Sequence, residues 1–400
     1  MRNKEITLEQ PVAGQPAPEK TKKNHKRPLT LLRRLLPVFA VLIIVLLVSV
    51  LSTMADGDHF SALRRYLMYG NSSETQDLYT YASHQSNLFE PLGDELLVVN
   101  PHNVQILHQN GTALYELQVE LTAPIISVGS DLAAVCDTNG SEVYVFSSTG
   151  LRWSHKNADR LLCYNARMCG DDHLVVIEQK IGHKASVVVY NSEGTAVFYF
   201  NSYDRYISDA VVTEDGKYLI ALALGEHRGT FASSLVIYDM AGEKKLGDYP
   251  LLEGLALEVS VQDDRVVLLC DNRLAVATLG GELLLDHPYG EQYLHDYALG
   301  GDDFCALLLS RYQSSNVCRL TTFSPDGEVL AALDITEEVL DISAAGDRLA
   351  VLYSDTLVLY DRSLNEVARL NGTEHAGTVR MNRDGTALLI AETFARRFLP

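Results

Sequence analysis

The chain has 400 residues, 47% of them apolar, enough for one large core or two average ones. Its formal charge of −19 is unevenly spread: residues 1–34 hold nine Lys/Arg against three Asp/Glu, a net of +6, and the remainder holds 24 against 49, a net of −25. A body that acidic repels phosphate backbones and argues against a nucleic-acid partner, whereas the basic segment, placed beside a hydrophobic stretch, suits anionic lipid.

Residues 1–34 are polar and basic (KTKKNHKRP, then Arg33-Arg34) and read as a disordered tail. Residues 35–52 (LLPVFAVLIIVLLVSVLS) carry no charge. At about 1.5 Å per residue they span roughly 27 Å, near the ~30 Å hydrocarbon core of a bilayer. Pro37 falls in the first turn, where proline is tolerated. Cations crowd the N-terminal flank while Asp56 and Asp58 follow the other, so the tail is expected in the cytoplasm and the body outside. A cleaved signal peptide and a buried core helix are the competing readings. The first expects a shorter apolar core and a better cleavage site than Thr53-Met54-Ala55; the second does not explain the one-sided cations. No lipobox cysteine follows the run.

Phe60, Leu63 and Leu67 recur at helical spacing, predicting a short juxtamembrane helix, on the membrane surface or against the domain that follows. Residues 70–76 (GNSSETQ) read as a stalk.

From residue 88 a repeat takes over, clearest at 346–370. There Gly346-Asp347 turns into RLAVLY, Ser354-Asp355 into TLVLY, and EVARL follows. Short apolar runs bounded by Gly, Asp, Asn and Ser are strand-and-turn signals. Eight such markers occur: Gly93-Asp94, Ser130-Asp131, Asp171-Asp172, Asp215-Gly216, Asp263-Asp264, Asp302-Asp303, Gly346-Asp347 and Asp384-Gly385, spaced 37 to 48 residues apart. That is the period of a four-stranded propeller blade. Seven markers lead into a two-strand ribbon, and the short run before each turn (Val259–Val261 or Ile342-Ser343) supplies the innermost strand. After the eighth, residues 393–400 allow only one more strand, and LYTY at 78–81 offers the missing one. The expected fold is therefore all-β: an eight-bladed β-propeller with a composite closing blade (seven blades being the alternative), preceded by one transmembrane helix. The expected organisation is tail 1–34, transmembrane helix 35–53, juxtamembrane helix and stalk 54–77, and extracytoplasmic propeller 78–400.

The six cysteines show no CxxC and no metal-ligand spacing. Cys136, Cys270 and Cys305 sit in apolar strands as small hydrophobes. Cys305 with Cys318, on one expected hairpin, and Cys163 with Cys169 are the candidate disulfides in an oxidising compartment.

The turn-then-strand pattern with Gly150-Leu151-Arg152-Trp153 resembles a degenerate blade of the PQQ-like or WD40-like repeat superfamilies. The layout of basic tail, single anchor, Leu-Arg-Arg-Tyr segment and acidic propeller is similar to an uncharacterised family of single-pass membrane-anchored propeller proteins of Firmicutes. The resemblance implies a fold and a location and no mechanism. The chain has a single Trp, whereas quinoprotein dehydrogenases carry one in most blades, and the Gly-His and Trp-Asp pairs of WD40 blades are missing. Neither cofactor binding nor a WD40 partner surface carries over.

No nucleophile elbow, HExxH, Walker A, Rossmann or EF-hand motif is present, and no cofactor or metal is expected. The Asp-Asp pairs at 171–172, 263–264 and 302–303 recur at one place in the repeat, as turn residues do, without an alternating ligand run for calcium. Asn71, Asn110, Asn139 and Asn371 begin N-x-S/T sequons, and the last three are Asn-Gly, itself a hairpin signal. The segments entering inner strands at 156–167, 201–209 and 287–297 are rich in Tyr, Arg, Asp and His. Arg160, Tyr164, Tyr203, Arg205, Tyr206, Tyr293 and His295 are the candidate binding residues at one rim; the plainer account is tyrosines packed between blades. The sequence thus points to a membrane-tethered binding or scaffold module for a protein, peptide or glycan of the cell envelope. The alternative is a polysaccharide hydrolase or lyase drawing acid and base from Asp204, Asp209 or Asp296.

Overall fold

Among the described residues, 32 short strands carry the regular structure, and two burial patterns separate them. Continuous apolar runs such as Leu132–Asp137 and Cys305–Ser310 are buried at every residue, because both faces of the sheet meet a neighbouring sheet. Alternating runs such as Leu283–Pro288 and Glu366–Asn371 show an exposed residue at nearly every second position and form outer edges. The computed structural model describes residues 76–400 apart from 139, 158–159, 171, 228, 252–253, 263 and 313–315. The basic tail, the apolar span and the juxtamembrane segment lie outside the described residues, as do Asn71, Asn139, Asp171 and Asp263. Among the described residues no helix is long and apolar enough to cross a membrane.

The strands form eight four-stranded antiparallel sheets, seven with their strands in sequence order and the last completed by the first strand of the chain, and so eight propeller blades. Numbered along the chain, their inner strands are Leu88–Leu92, Pro124–Val128, Cys163–Met168, Tyr206–Val212, Ala256–Gln262, Tyr293–Ala298, Val339–Ala345 and Ala376–Met381. Each inner strand begins at an upper rim, where the connection from the preceding outer strand arrives, and ends at a lower rim made of the Asp-bearing turns. Core clusters run across blade boundaries; Tyr79, Leu96, Val98, Leu388 and Ile390, for example, pack blade 8 on blade 1. The tryptophan of the sequence motif has a similar task. Trp153, on the outer strand of blade 2, donates Nε1–H to Ser192 O of blade 3 at 3.0 Å. Its indole covers Gly194, whose φ is +81° and where a Cβ would stand 2.8 Å from the ring.

The closing blade is composite, as expected. Ala376–Met381, Ala387–Ala391 and Phe394–Phe398 are completed by Gln76–Thr80, two residues earlier than the 78–81 read from sequence. Tyr79 is 1% exposed; its hydroxyl donates to Asp94 O at 2.8 Å and accepts from Arg397 Nη2 at 3.1 Å. The Tyr81 hydroxyl reaches Ala391 O and Phe394 O. Gln76–Thr80 is antiparallel to Phe394–Phe398, so the described chain enters at the lower rim and ascends.

The disulfide expectation is corrected. All six cysteines are free and buried. Cys305 and Cys318 do share a hairpin, but Cys305 faces Phe323 while Cys318 faces Ser310, which puts them at opposite ends of it. Cys163 opens the inner strand Cys163–Met168 and Cys169 follows its far end.

Replacing Tyr79 by Ala removes a fully buried ring together with its closing hydrogen bonds. Thermal or denaturant unfolding should register a loss of about 3–5 kcal/mol, while Tyr199→Ala, 67% exposed on an outer strand, should change stability by no more than about 0.5 kcal/mol.

Candidate functional site

The inner strands are not regular. In blades 3 to 8 the ladder to the second strand skips one residue, in turn Tyr164, Ser208, Leu257, His295, Leu340 and Gly377. A bulge of this kind bends the strand and re-aims the extra side chain. Two of the residues picked out from sequence, Tyr164 and His295, are such bulge residues, and both are exposed. The residue after the bulge turns toward the next blade. Asp209 Oδ2 accepts from Val259 N at 2.9 Å, Asp296 Oδ2 from Ile342 N at 3.2 Å, and Asp341 Oδ2 from Val379 N at 2.8 Å. Ser127 Oγ, Ser343 Oγ and Cys169 Sγ do the same for Met168 N, Met381 N and Val212 N.

Two arginines tie these carboxylates together around the channel. Arg167 donates to Asp209 at 2.5 Å and to Glu258 at 3.2 Å, and Tyr297 donates to the other oxygen of Glu258 at 2.7 Å. Arg380 bridges Glu90 and Asp341, both at 3.0 Å. Burial pushes the carboxyls of Glu90, Asp209, Asp296 and Asp341 above their ordinary value, against the downward pull of the arginines on Glu90, Asp209 and Asp341 and of backbone N–H donors on the three aspartates. Among the described residues Asp296 meets no arginine and accepts from Tyr297 N and Ile342 N. A cavity of about 280 Å³ lies on one side of Arg167, bounded also by Ile126, Asn165 and Leu257. Another of about 430 Å³, bounded by Glu214, Gln262, Asp302 and Arg383, lies on the other. Arg167 therefore stands as a bar between them. Among the described residues no three His, Cys, Asp or Glu side chains gather to hold a metal ion. One turn aspartate stitches two turns together, Asp172 Oδ1 accepting from Ser130 N at 2.9 Å and Leu132 N at 3.2 Å in blade 2, while Asp215 and Asp384 accept within their own turns.

The upper rim differs. The exposed large apolar side chains fall into two sets: one lies on outer strands and the other on the upper rim. The rim set concentrates on blades 3 to 7, from Ile181, Tyr203 and Phe231, each more than 70% exposed, through Leu257 and Tyr293 to Leu340. All seven sequence-selected residues lie on this rim: Arg160 and Tyr164 at blade 3, Tyr203, Arg205 and Tyr206 at blade 4, Tyr293 and His295 at blade 6. They do not converge on one pocket. Tyr203 and Tyr206 meet blade 3, where the Tyr203 ring packs tilted against His183, centroids 4.0 Å apart, and Lys184 Nζ lies 4.9 Å from the Tyr206 ring. Arg205 is engaged within its own blade, held by Asp248 at 2.8 and 2.6 Å. Its stem crosses Gly225, where a Cβ would stand 2.3 Å away. It thereby props a hairpin: Tyr218–His227 and Thr230–Asp239, ten residues each, rise beyond the pairings of their neighbours and carry Phe231 near the tip. Of the three acids named from sequence, Asp209 and Asp296 belong to the channel and Asp204 is exposed on the rim. His183, Lys184, Phe231 and Leu257 were missed; the two long apolar runs of blade 4 were the available signal for the hairpin.

Removing Arg167 with Met strands Asp209 and Glu258, and equilibrium unfolding should show a loss of about 3 kcal/mol, partly restored by adding Asp209→Asn. A carboxyl raised by burial contributes stability below its ordinary titration, about pH 4, and loses that contribution as pH rises through its folded value. Thermal melts of Asp296→Asn against the parent chain should therefore shift in favour of the variant between pH 4 and pH 7.

The ring resembles solved propellers. BamB from Moraxella catarrhalis aligns over 82% of this chain and 100% of its own, at 12% identity and a TM-score of 0.52. The C-terminal WD40 domain of Sif2 aligns over 82% of this chain and 98% of its own, at 14% identity and a TM-score of 0.59. The computationally designed Ika8 protein aligns over 81% of this chain and 100% of its own, at 12% identity and a TM-score of 0.57. At such identities the likeness is one of fold. No curated protein matches the chain. Residues 64–390 match the model of a family of unknown function, DUF5711, and the chain belongs to that family.

Proposed function

We propose that the protein is a membrane-tethered, extracytoplasmic propeller that serves as a binding or scaffold module at the cell envelope, and that its upper rim on blades 3 to 7 receives the partner. One observation carries this reading: away from the outer strands, the exposed large apolar side chains gather on that rim, and Tyr is a favoured interface anchor. The likeness to BamB and to a WD40 domain supports a ring used as a platform. The uncharged stretch at 35–52 with its one-sided cations supports the tether and the bilayer as its lipid partner. The described chain enters at the lower rim, opposite the rim assigned here to the partner.

A second reading, acid–base chemistry on an envelope polysaccharide, draws on the raised carboxyls of Asp296 and Asp341 in the channel. It expects turnover that Asp296→Asn abolishes.

Because the six native cysteines are buried, a single Tyr203→Cys variant reports on location. A membrane-impermeant maleimide should label it in intact cells; labelling only after lysis would remove the envelope assignment. A photo-crosslinker at Leu257 should give a discrete adduct that one at Leu283, exposed on an outer strand, does not. Equal adducts from both positions would remove the rim.

A further inference from the structure

Leu132–Asp137, the second strand of blade 2, alternates its side chains between two boundaries. Ala133 and Val135 pack toward blade 1, whereas Leu132, Ala134 and Cys136 pack toward blade 3. Cys163, which opens the inner strand of blade 3, belongs to the same core cluster as Cys136. Backbone bonds hold the two positions together: Cys163 N donates to Gly140 O at 2.8 Å, and Gly140 N donates to Asp137 O at 2.9 Å. Cys163 is thus pinned to the turn that directly follows Cys136. Its own thiol donates to Asn165 O at 3.4 Å, which leaves the sulfur lone pairs for a second thiol. Hydrogen bonding to Cys163 is the first cause that raises the Cys136 thiol above its ordinary value, and burial the second. For Cys270, Cys305 and Cys318 burial comes first, and Cys169 Sγ accepts from Val212 N at 3.2 Å. The pair that meets is therefore neither of those marked in the sequence; it crosses a blade boundary, with 26 residues between its members.

Resting on the extracytoplasmic reading above, we propose that Cys136 and Cys163 are a redox pair that closes to a disulfide between blades 2 and 3 when the chain folds in an oxidising compartment. The oxidant is a disulfide, carried by a protein or a small molecule. One cysteine, as thiolate, attacks it, so that a mixed disulfide forms and one sulfur of the oxidant leaves. The other cysteine then attacks the mixed bond. The two protein sulfurs are joined, and the oxidant departs with both electrons and both protons as two thiols. Cys136 is 0% and Cys163 3% exposed, so no oxidant reaches them in the finished ring. The exchange belongs to the interval when blade 2 has formed and blade 3 is still arriving, and burial afterwards shields the bond from reductants as well. Closing so long a loop restrains the unfolded chain and stabilises the boundary. Burial alone explains each cysteine as a small apolar residue; it does not explain thiol set against thiol.

Two arms test this on the full chain. Protein isolated from its membranes without reductant, alkylated in denaturant and mapped by mass spectrometry should yield a Cys136–Cys163 linked peptide and leave the other four of the six cysteines alkylated. Protein synthesised cell-free into nanodiscs under oxidised glutathione should form the same link. Its melting temperature should exceed that of protein made under reductant by about 3–6 °C. Cys136→Ala, whatever its own stability, should melt alike under both conditions, and Cys270→Ala should keep the difference. Six alkylated cysteines in a chain whose Tyr203→Cys variant labels from outside would overturn the proposal. So would cell-free protein linked through another pair, or through none. Labelling of Tyr203→Cys only after lysis would instead remove the envelope reading, and the cell-free arm would then decide the pair by itself.

Discussion

The structure depends on how each inner strand is held to the next. A propeller blade exposes the free edge of its inner strand to the channel, where unpaired N–H groups would meet no ladder partner. In this chain the side chain beside the bulge of one blade takes an N–H of the following blade: Asp209 holds Val259, Asp296 holds Ile342, and Asp341 holds Val379. Serine and cysteine perform the same task elsewhere around the ring. Charge enters the channel because carboxylates make strong acceptors, and the two arginines follow because buried carboxylates need cations. The acidic lining is thus accounted for by assembly, and so is the bar of Arg167 between the two cavities.

Much of the architecture could be read from the residues. Turn chemistry at each Asp or Gly-Asp pair marks the lower rim, and the continuous apolar run after it marks the strand buried on both faces. Counting what was left after residue 393 revealed the composite blade, because one strand's worth of chain cannot finish a four-stranded sheet. The cysteine pairs failed for a matching reason. Sharing a hairpin says nothing about register, and Cys305 and Cys318 occupy its two ends.

The rim was only partly legible. Composition located the crossovers rich in Tyr and Arg, and these do crown one end of the ring. Which of those side chains remain free depends on contacts between segments far apart in sequence. Arg205 looked like a ligand-facing cation and instead clamps Asp248 beneath the blade 4 hairpin. Lys184 and His183 lay in an unremarkable loop, and only the packing of blade 3 on blade 4 sets them against Tyr206 and Tyr203. A bulge cannot be seen in composition either, so Leu257 and Leu340 passed as ordinary strand residues.

The seal between Tyr79 and Arg397 joins residues 318 positions apart. During synthesis the first strand of the ring is therefore made earliest and finds its sheet last. At about 5–20 residues per second it waits roughly 15–60 s for its partner to emerge, with its backbone unpaired. Seven blades can stack while it waits, each on the one before, but the circle stays a horseshoe until the final residues arrive. A ribosome that stops short of Phe394 leaves two raw ends, one on each side of a single gap, and two such horseshoes could close each other by exchanging strands.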